Sequence, residues 1–313
     1  MTTPADGTWT AQRERSNLWA LTLMRRLAVG LGRPAARLLL GPIALYFLWF
    51  GGAPSRASAQ YLRRVLGRAP TFAERLRHIH TFASTVLDRV YLLQQRFDGF
   101  DIRIEGTGHL DAVLARGQGA LLIGAHLGSF EVMRALGQSR AGLRVAMVMY
   151  EDNARMINAT LKAIAPDTPL HIIALGQLES MLQLRNWLDD GGVAGLLGDR
   201  SLPGAASARS VSHRLPFLGE AATFSDGPFR LAALLRRPVV FMTGLYLGGN
   251  RYELRFVPLA DLSERPAGRE AQDAAIADVQ RRYVALLETL CREHPMNWFN
   301  FFDFWAPEDT HAA

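Results

Sequence analysis

The sequence predicts an α/β fold: a mixed, mainly parallel central sheet flanked by helices, with a helical membrane-anchoring segment ahead of it. Three observations carry that expectation. From residue 100 onward, short apolar runs alternate with stretches of helical period. Most of those runs are apolar throughout, the mark of strands covered on both faces, as parallel strands are. The front of the chain has another texture, rich in arginine and bulky apolar side chains. It sets residues 1–70 apart from an α/β domain over residues 71–313.

In the front segment, Leu38 to Phe50 reads LLLGPIALYFLWF, and no charge occurs from Leu38 to Ser55. A helix of that length reaches roughly 20 Å, short of a ~30 Å hydrocarbon core. Gly41-Pro42 and Gly51-Gly52 interrupt it further. A short anchor, re-entrant or shallow, fits better than a spanning helix; the competing reading is a hairpin packed on the domain. Tyr46 and Trp49 suit a membrane interface, and flanking arginines are long enough to meet phosphates. Ala57-Ser58-Ala59 has the look of a leader-cleavage site, but the stretch before the apolar run is too long for a leader.

Next, Phe72, Leu76, Ile79, Ala83, Val86, Val90, Leu93 and Phe97 recur at steps of four and three. Glu74, Arg75, Arg77, His78, Asp88 and Arg89 fill the opposite face, which predicts an amphipathic helix. His78 and His80 cannot share a helical face, so they read as surface histidines rather than a metal pair.

The domain proper follows. Strands are predicted at Ile102–Ile104, Ala120–Ala125, Leu143–Tyr150, Leu170–Leu175 and Val193–Gly198. Helices are predicted from Ser129 to Leu136, Asn153 to Ala165 and Glu179 to Asp189. After a helix at Gly227–Arg236, the turn Gly248-Gly249-Asn250 joins strands Pro238–Leu247 and Tyr252–Pro258 into an antiparallel hairpin. A long helix over Glu270–Glu293 stops before Pro295. Leu202–His213 and Ser263–Arg269 are polar, with the composition of flexible loops.

Composition narrows the function classes. Of 313 residues, 49% are hydrophobic and 20% charged, enough apolar surface for a real core and too little for a polytopic membrane protein. The net charge of +6 is unevenly placed: between Arg15 and Ala73 lie nine arginines and no acid. A membrane surface is the expected partner of that stretch. Nucleic acid is not, because the basic stretch is broken by an apolar core. Cys291 is the only cysteine, so no disulfide framework or cysteine-rich metal site exists. The histidines show no metal-ligand spacing, and the sequence contains no nucleophile elbow, phosphate loop or dinucleotide fingerprint.

Chemistry is expected where strands end, because open α/β sheets place active groups beyond the carboxyl ends of their strands. The run Ala120–Ala125 leads into His126-Leu127-Gly128-Ser129-Phe130-Glu131. If His126 precedes a helix and Glu131 lies in its first turn, Glu131 can reach a ring nitrogen and leave His126 a general base for a hydroxyl. Helix-start N–H groups around Ser129 would meet a developing oxyanion. Val193–Gly198 ends likewise in Asp199-Arg200, which makes Asp199 a second candidate to orient His126. Arg200 becomes a candidate ligand for a phosphate or acyl carbonyl; the plainer reading of Asp199-Arg200 is a local ion pair.

Four segments, GAHLGSFE (124–131), YEDNARMIN (150–158), GLLGDRS (195–201) and LPFLGEAATFSDGPFRLA (215–232), resemble the bacterial lipid A biosynthesis acyltransferases, of the lauroyl/myristoyl type. These are relatives of the wider HxxxxD/E acyltransferases, and the resemblance covers most of the chain. It implies transfer of a fatty acyl group from acyl carrier protein or coenzyme A to a hydroxyl of a membrane lipid or glycolipid. The thioester is then a co-substrate, with no cofactor or metal. The implied place is the inner (cytoplasmic) membrane, with the catalytic domain facing the cytoplasm. The family's catalytic histidine falls on His126, its paired acid on Glu131 and a further functional acid on Asp199, with Asn153 among the substrate-binding positions.

The closing segment departs from the family. Where its lipid A enzymes carry Pro-Glu-Gln, aromatics and His-Arg-Arg, this chain has PMNWFNFFDFW from Pro295 to Trp305. Lipid A, a less phosphorylated lipid and a polyene-type precursor all stay open as acceptor. The aromatics read as core packing or as a surface that dips into the interface. A non-catalytic lipid-binding protein on the same fold is the alternative to an enzyme.

Overall fold

The computed structural model describes residue 30 and residues 32–133, 143–150, 171–200 and 211–306. Helices α1 (Leu40–Phe50), α2 (Gly52–Leu66) and α3 (Phe72–Leu93) come first. Then follow β1 (Asp101–Glu105), α4 (Thr107–Leu114), β2 (Ala120–Gly124), a 3-10 turn at Phe130–Met133, β3 (Val145–Tyr150) and β4 (Ile172–Leu175). The chain continues with α5 (Leu178–Asp189), β5 (Val193–Leu197), β6 (Ser212–Phe217), β7 (Glu220–Ser225) and α6 (Gly227–Leu235). It closes with β8 (Pro238–Gly248), β9 (Arg251–Asp261) and α7 (Arg269–Glu293).

Seven strands form one sheet in the order β1-β9-β8-β2-β5-β3-β4, and β6 and β7 form a separate hairpin. Every pairing in the large sheet is parallel except β8 with β9. The predicted mixed, mainly parallel sheet is therefore observed. All five residues of β2 are buried. Leu121 and Ile123 join the core on one face with Phe241, Tyr283 and Trp298. Ala120 and Leu122 join the other with Val240, Met242 and Tyr252. That period of two, with both sides apolar, is why the run reads as uninterrupted hydrophobicity.

The front helices belong to the same core. Tyr61, Leu62 and Val65 of α2 pack with Leu121, Tyr283 and Trp298, so sequence on either side of residue 70 shares one cluster. No helix among the described residues is long and apolar enough to cross a membrane; Gly32–Phe50 and Gly52–Leu66 meet at 95°. Gly52, at φ 52°, makes that bend in a backbone region costly for residues with a Cβ. One side of α1 is spent on the domain, through Leu40, Ala44 and Leu48. Its other side leaves Tyr46, Trp49 and Phe50 at 59%, 64% and 71% exposure.

Two expectations change here. His78 is buried, not superficial: Ser58 Oγ lies 2.8 Å from its Nδ1, and its Nε2 lies 2.9 Å from the Trp298 carbonyl. It is a bolt between α3, α2 and the closing segment, which helical periodicity alone cannot show. The front arginines, in turn, are partly consumed inside the protein. Arg33 grips buried Asp88 at 2.7 and 2.8 Å, and Arg37 stands 4.0 Å from the same carboxylate. Arg64 pairs with Glu220, and Arg68 with Glu74 in the capping box of α3. Arg56 and Arg63 stay exposed and form no ion pair among the described residues.

Candidate active site

β2 and β5 are neighbouring parallel strands in register, Gly124 opposite Leu197. The residues two places past their ends are His126 and Asp199, so the sheet itself sets these side chains next to each other. Asp199 Oδ1 lies 2.8 Å from His126 Nδ1, and its Oδ2 accepts the His126 main-chain N–H at 3.0 Å. Oδ2 also accepts from Asn300 Nδ2 at 2.8 Å and Trp298 Nε1 at 3.2 Å. Asp199 is completely buried. Burial alone would raise its pKa, but His126, Arg200 and Asn300 outweigh that and hold the carboxyl well below its usual range. An ionised carboxylate only accepts, so the Nδ1 it faces carries hydrogen, and in the neutral ring the lone pair is then on Nε2. The His126 side chain is 27% exposed, open enough to meet a ligand.

The loop that carries His126 is held on two sides. Phe299 N–H donates to the His126 carbonyl at 2.7 Å, and Gly128 N–H to the Asn297 carbonyl at 2.8 Å. On the β8 side, Thr243 Oγ1 donates to the Leu127 carbonyl at 2.7 Å and Ser129 N–H to the Gly244 carbonyl at 2.8 Å. Gly128 makes this closeness possible. Its φ is 76°, and a Cβ there would stand 2.1 Å from the Gly244 oxygen.

The remaining expected residues have other partners. Glu131 does not reach His126: Ser129 Oγ donates to its Oε2 at 2.9 Å, and Arg89 Nε of α3 lies 2.7 Å from its Oε1. Phe130–Met133 form a 3-10 turn that carries Glu131 toward α3; the rest of the helix expected to Leu136 lies outside the described residues. Nor does Ser129 offer its N–H to a substrate, since Gly244 takes it and the residue is buried. Arg200 bonds through Nε to Asn300 Oδ1 at 2.7 Å and through Nη2 to the Phe299 carbonyl at 3.3 Å. Burial lowers its pKa while Asp199 opposes the shift. Its Nη1 has no hydrogen bond among the described residues. Asn153 and the expected helix over 153–165 lie outside the described residues, as does most of the Leu202–His213 loop.

Sequence reasoning missed the support supplied by the closing aromatic segment. Trp298 is buried against Tyr61, Phe217 and Phe304 at ring distances of 4.9, 5.4 and 4.8 Å, which is core packing. The same segment aims the Trp298 indole N–H and the Asn300 amide at Asp199. Asn297 and Asn300 are buried amides amid aromatics, and such groups need hydrogen-bond partners. That requirement was the available signal.

A strand-end histidine oriented by a buried carboxylate has the arrangement of a general base. A family model for bacterial lipid A biosynthesis acyltransferases matches residues 11–306. The chain belongs to that family. It is therefore an acyltransferase of the lipid A biosynthesis type, and the departure of residues 295–305 from the motif expected there lies within the matched region. No curated protein sequence matches the chain.

Proposed function

We propose that this acyltransferase is membrane-associated and moves a fatty acyl group from an acyl thioester, of acyl carrier protein or coenzyme A, to a hydroxyl of a lipid or glycolipid. The single observation that carries the mechanism is the Asp199–His126 pair at the ends of β2 and β5. Asp199 fixes the ring with Nδ1–H toward itself and compensates the charge that develops on protonation. His126 Nε2 removes the proton of the acceptor hydroxyl as its oxygen attacks the thioester carbonyl carbon. The tetrahedral intermediate collapses with rupture of the C–S bond. The imidazolium returns its proton to the departing thiolate, leaving an ester and a free thiol. Arg200, through Nη1, is the cation offered to the developing oxyanion.

Support for membrane attachment comes from the unpartnered apolar face of α1 and from Arg56 and Arg63 on α2. We place the enzyme at the inner membrane with the site toward the cytoplasm, where acyl thioesters are made. The test is His126→Ala in cells that carry the protein. Mass spectrometry of lipid extracts should lose one species heavier by a single acyl group. Persistence of that species would remove His126 from the mechanism.

A further inference from the structure

Glu131 and Arg89 form an ion pair that the mechanism above does not use. Glu131 is buried; Ser129 Oγ donates to one of its oxygens, and Arg89 Nε stands 2.7 Å from the other as an ion pair without a hydrogen bond. Arg89 is not buried with it: its side chain is 37% exposed. The nearest contact is through Nε, out of line for a hydrogen bond, and no guanidinium nitrogen of Arg89 forms a hydrogen bond among the described residues. A pair that served only to pin α3 to the loop would use the forked end of the guanidinium, which gives two parallel bonds. Here the guanidinium is held beside a buried acid by charge, and its forked end is left over.

The surroundings say what the fork is for. Phe82, Val86 and Arg89 follow one another along a single face of α3, about 10 Å from end to end. Phe82 is 37% exposed and packs on Phe299 and Phe301 at 5.3 and 4.9 Å. Phe299 in turn bonds the His126 carbonyl. One helix face thus has an apolar end and a cationic end, each against a segment that holds His126. That pattern matches an amphiphile with a phosphate at one end and hydrocarbon at the other.

We propose that Arg89, positioned by Glu131, anchors a phosphate group of one of the two substrates. The inference rests on the reading of His126 as the reacting centre, which locates the face. Both substrates can carry such a phosphate: the donor on its pantetheine arm, the acceptor in its headgroup.

The test is equilibrium binding to the full chain in nonionic detergent, with two pairs of probes. Lauroyl-coenzyme A is compared with lauroyl-N-acetylcysteamine, and octanoyl-lysophosphatidic acid with monooctanoylglycerol. Arg89→Gln should weaken one phosphate-bearing probe tenfold or more, its phosphate-free counterpart staying within twofold. The pair that responds identifies the source. Glu131→Gln should weaken the same probe by a smaller factor, and Arg89→Lys should recover part of the loss. If Arg89→Gln does not fold, Arg89→Lys is read instead, and a loss of threefold or more confined to one phosphate-bearing probe supports the anchor. Equal weakening of both members of a pair, no change in any probe, or no phosphate preference in the unaltered protein overturns it. Because these are binding measurements, His126→Ala should leave them intact while stopping turnover. Failure of the base and failure of the anchor are thereby separable.

Discussion

The Asp199 carboxylate holds His126 twice, at the ring Nδ1 and at the main-chain N–H, so side chain and backbone are oriented by one buried acid. Replacing it by an amide keeps the shape but removes the charge and permits the wrong tautomer. Asp199→Asn should lower kcat on the order of 10³-fold with little change in KM, measured with any thioester and hydroxyl acceptor that the wild type accepts. Linkage supplies a second readout. The native carboxyl lies below its unfolded value, so its stabilisation is complete above the ordinary carboxylate range and is lost as pH falls toward the native value. The urea midpoint of Asp199→Asn should therefore fall less steeply than that of wild type between about pH 4 and 2.

His78 predicts the pH dependence of the fold itself. Burial lowers its pKa to about 4, the bond to the Trp298 carbonyl opposing the shift. The unfolded chain then binds the proton first, so stability is full above about pH 6.5 and is lost as pH falls toward 4. The loss should approach roughly 3 kcal/mol at its limit. Denaturant unfolding from pH 7 to 4 should show this slope, and His78→Gln should flatten it while lowering stability at neutral pH. An unchanged slope in that variant would assign the acid sensitivity to other groups.

The parallel strands and the strand-end histidine were legible because they depend on local facts. Ala120–Gly124 and Val193–Leu197 are apolar throughout, and each leads into a polar residue at one edge of the sheet. Which acid faces His126 was not legible. That choice is decided by β5 lying next to β2, a long-range pairing, and by a tight turn that swings Glu131 toward Arg89. The hairpin of β6 and β7 escaped notice for a related reason. Its two-residue turn is Leu218-Gly219, both at positive φ, and leucine is an unusual residue there. His78 was misplaced because a polar residue on a helix signals solvent only until another element covers that face.

Gly128→Ala tests how tightly the loop is held. The added methyl meets the Gly244 carbonyl oxygen in a backbone region unfavourable to alanine, so the loop must leave β8. A destabilisation of about 2–3 kcal/mol is expected, read as a lower thermal midpoint, together with loss of turnover as His126 moves. Gly219→Ala is the comparison. It also has positive φ, at 89°, but nothing lies within reach of a new Cβ, and it stands in the β6–β7 hairpin. It should cost less stability and leave turnover in place.

Attachment through α1 makes a separable prediction. Trp49 and Phe50 are exposed at the C-terminal end of that helix, while Ala44 and Leu48 face the domain. Burying such a side chain in an apolar phase contributes roughly 1.5–3 kcal/mol, so the double variant Trp49→Ser/Phe50→Ser should bind vesicles at least about 100-fold more weakly. Its thermal midpoint should hold, because neither side chain belongs to the core. Arg56→Gln/Arg63→Gln should instead weaken binding to anionic vesicles while sparing zwitterionic ones, with the difference shrinking as salt rises. Cosedimentation with phosphatidylglycerol and phosphatidylcholine vesicles separates the two effects. If the double serine variant binds both as well as wild type does, the apolar face of α1 is not what meets the membrane.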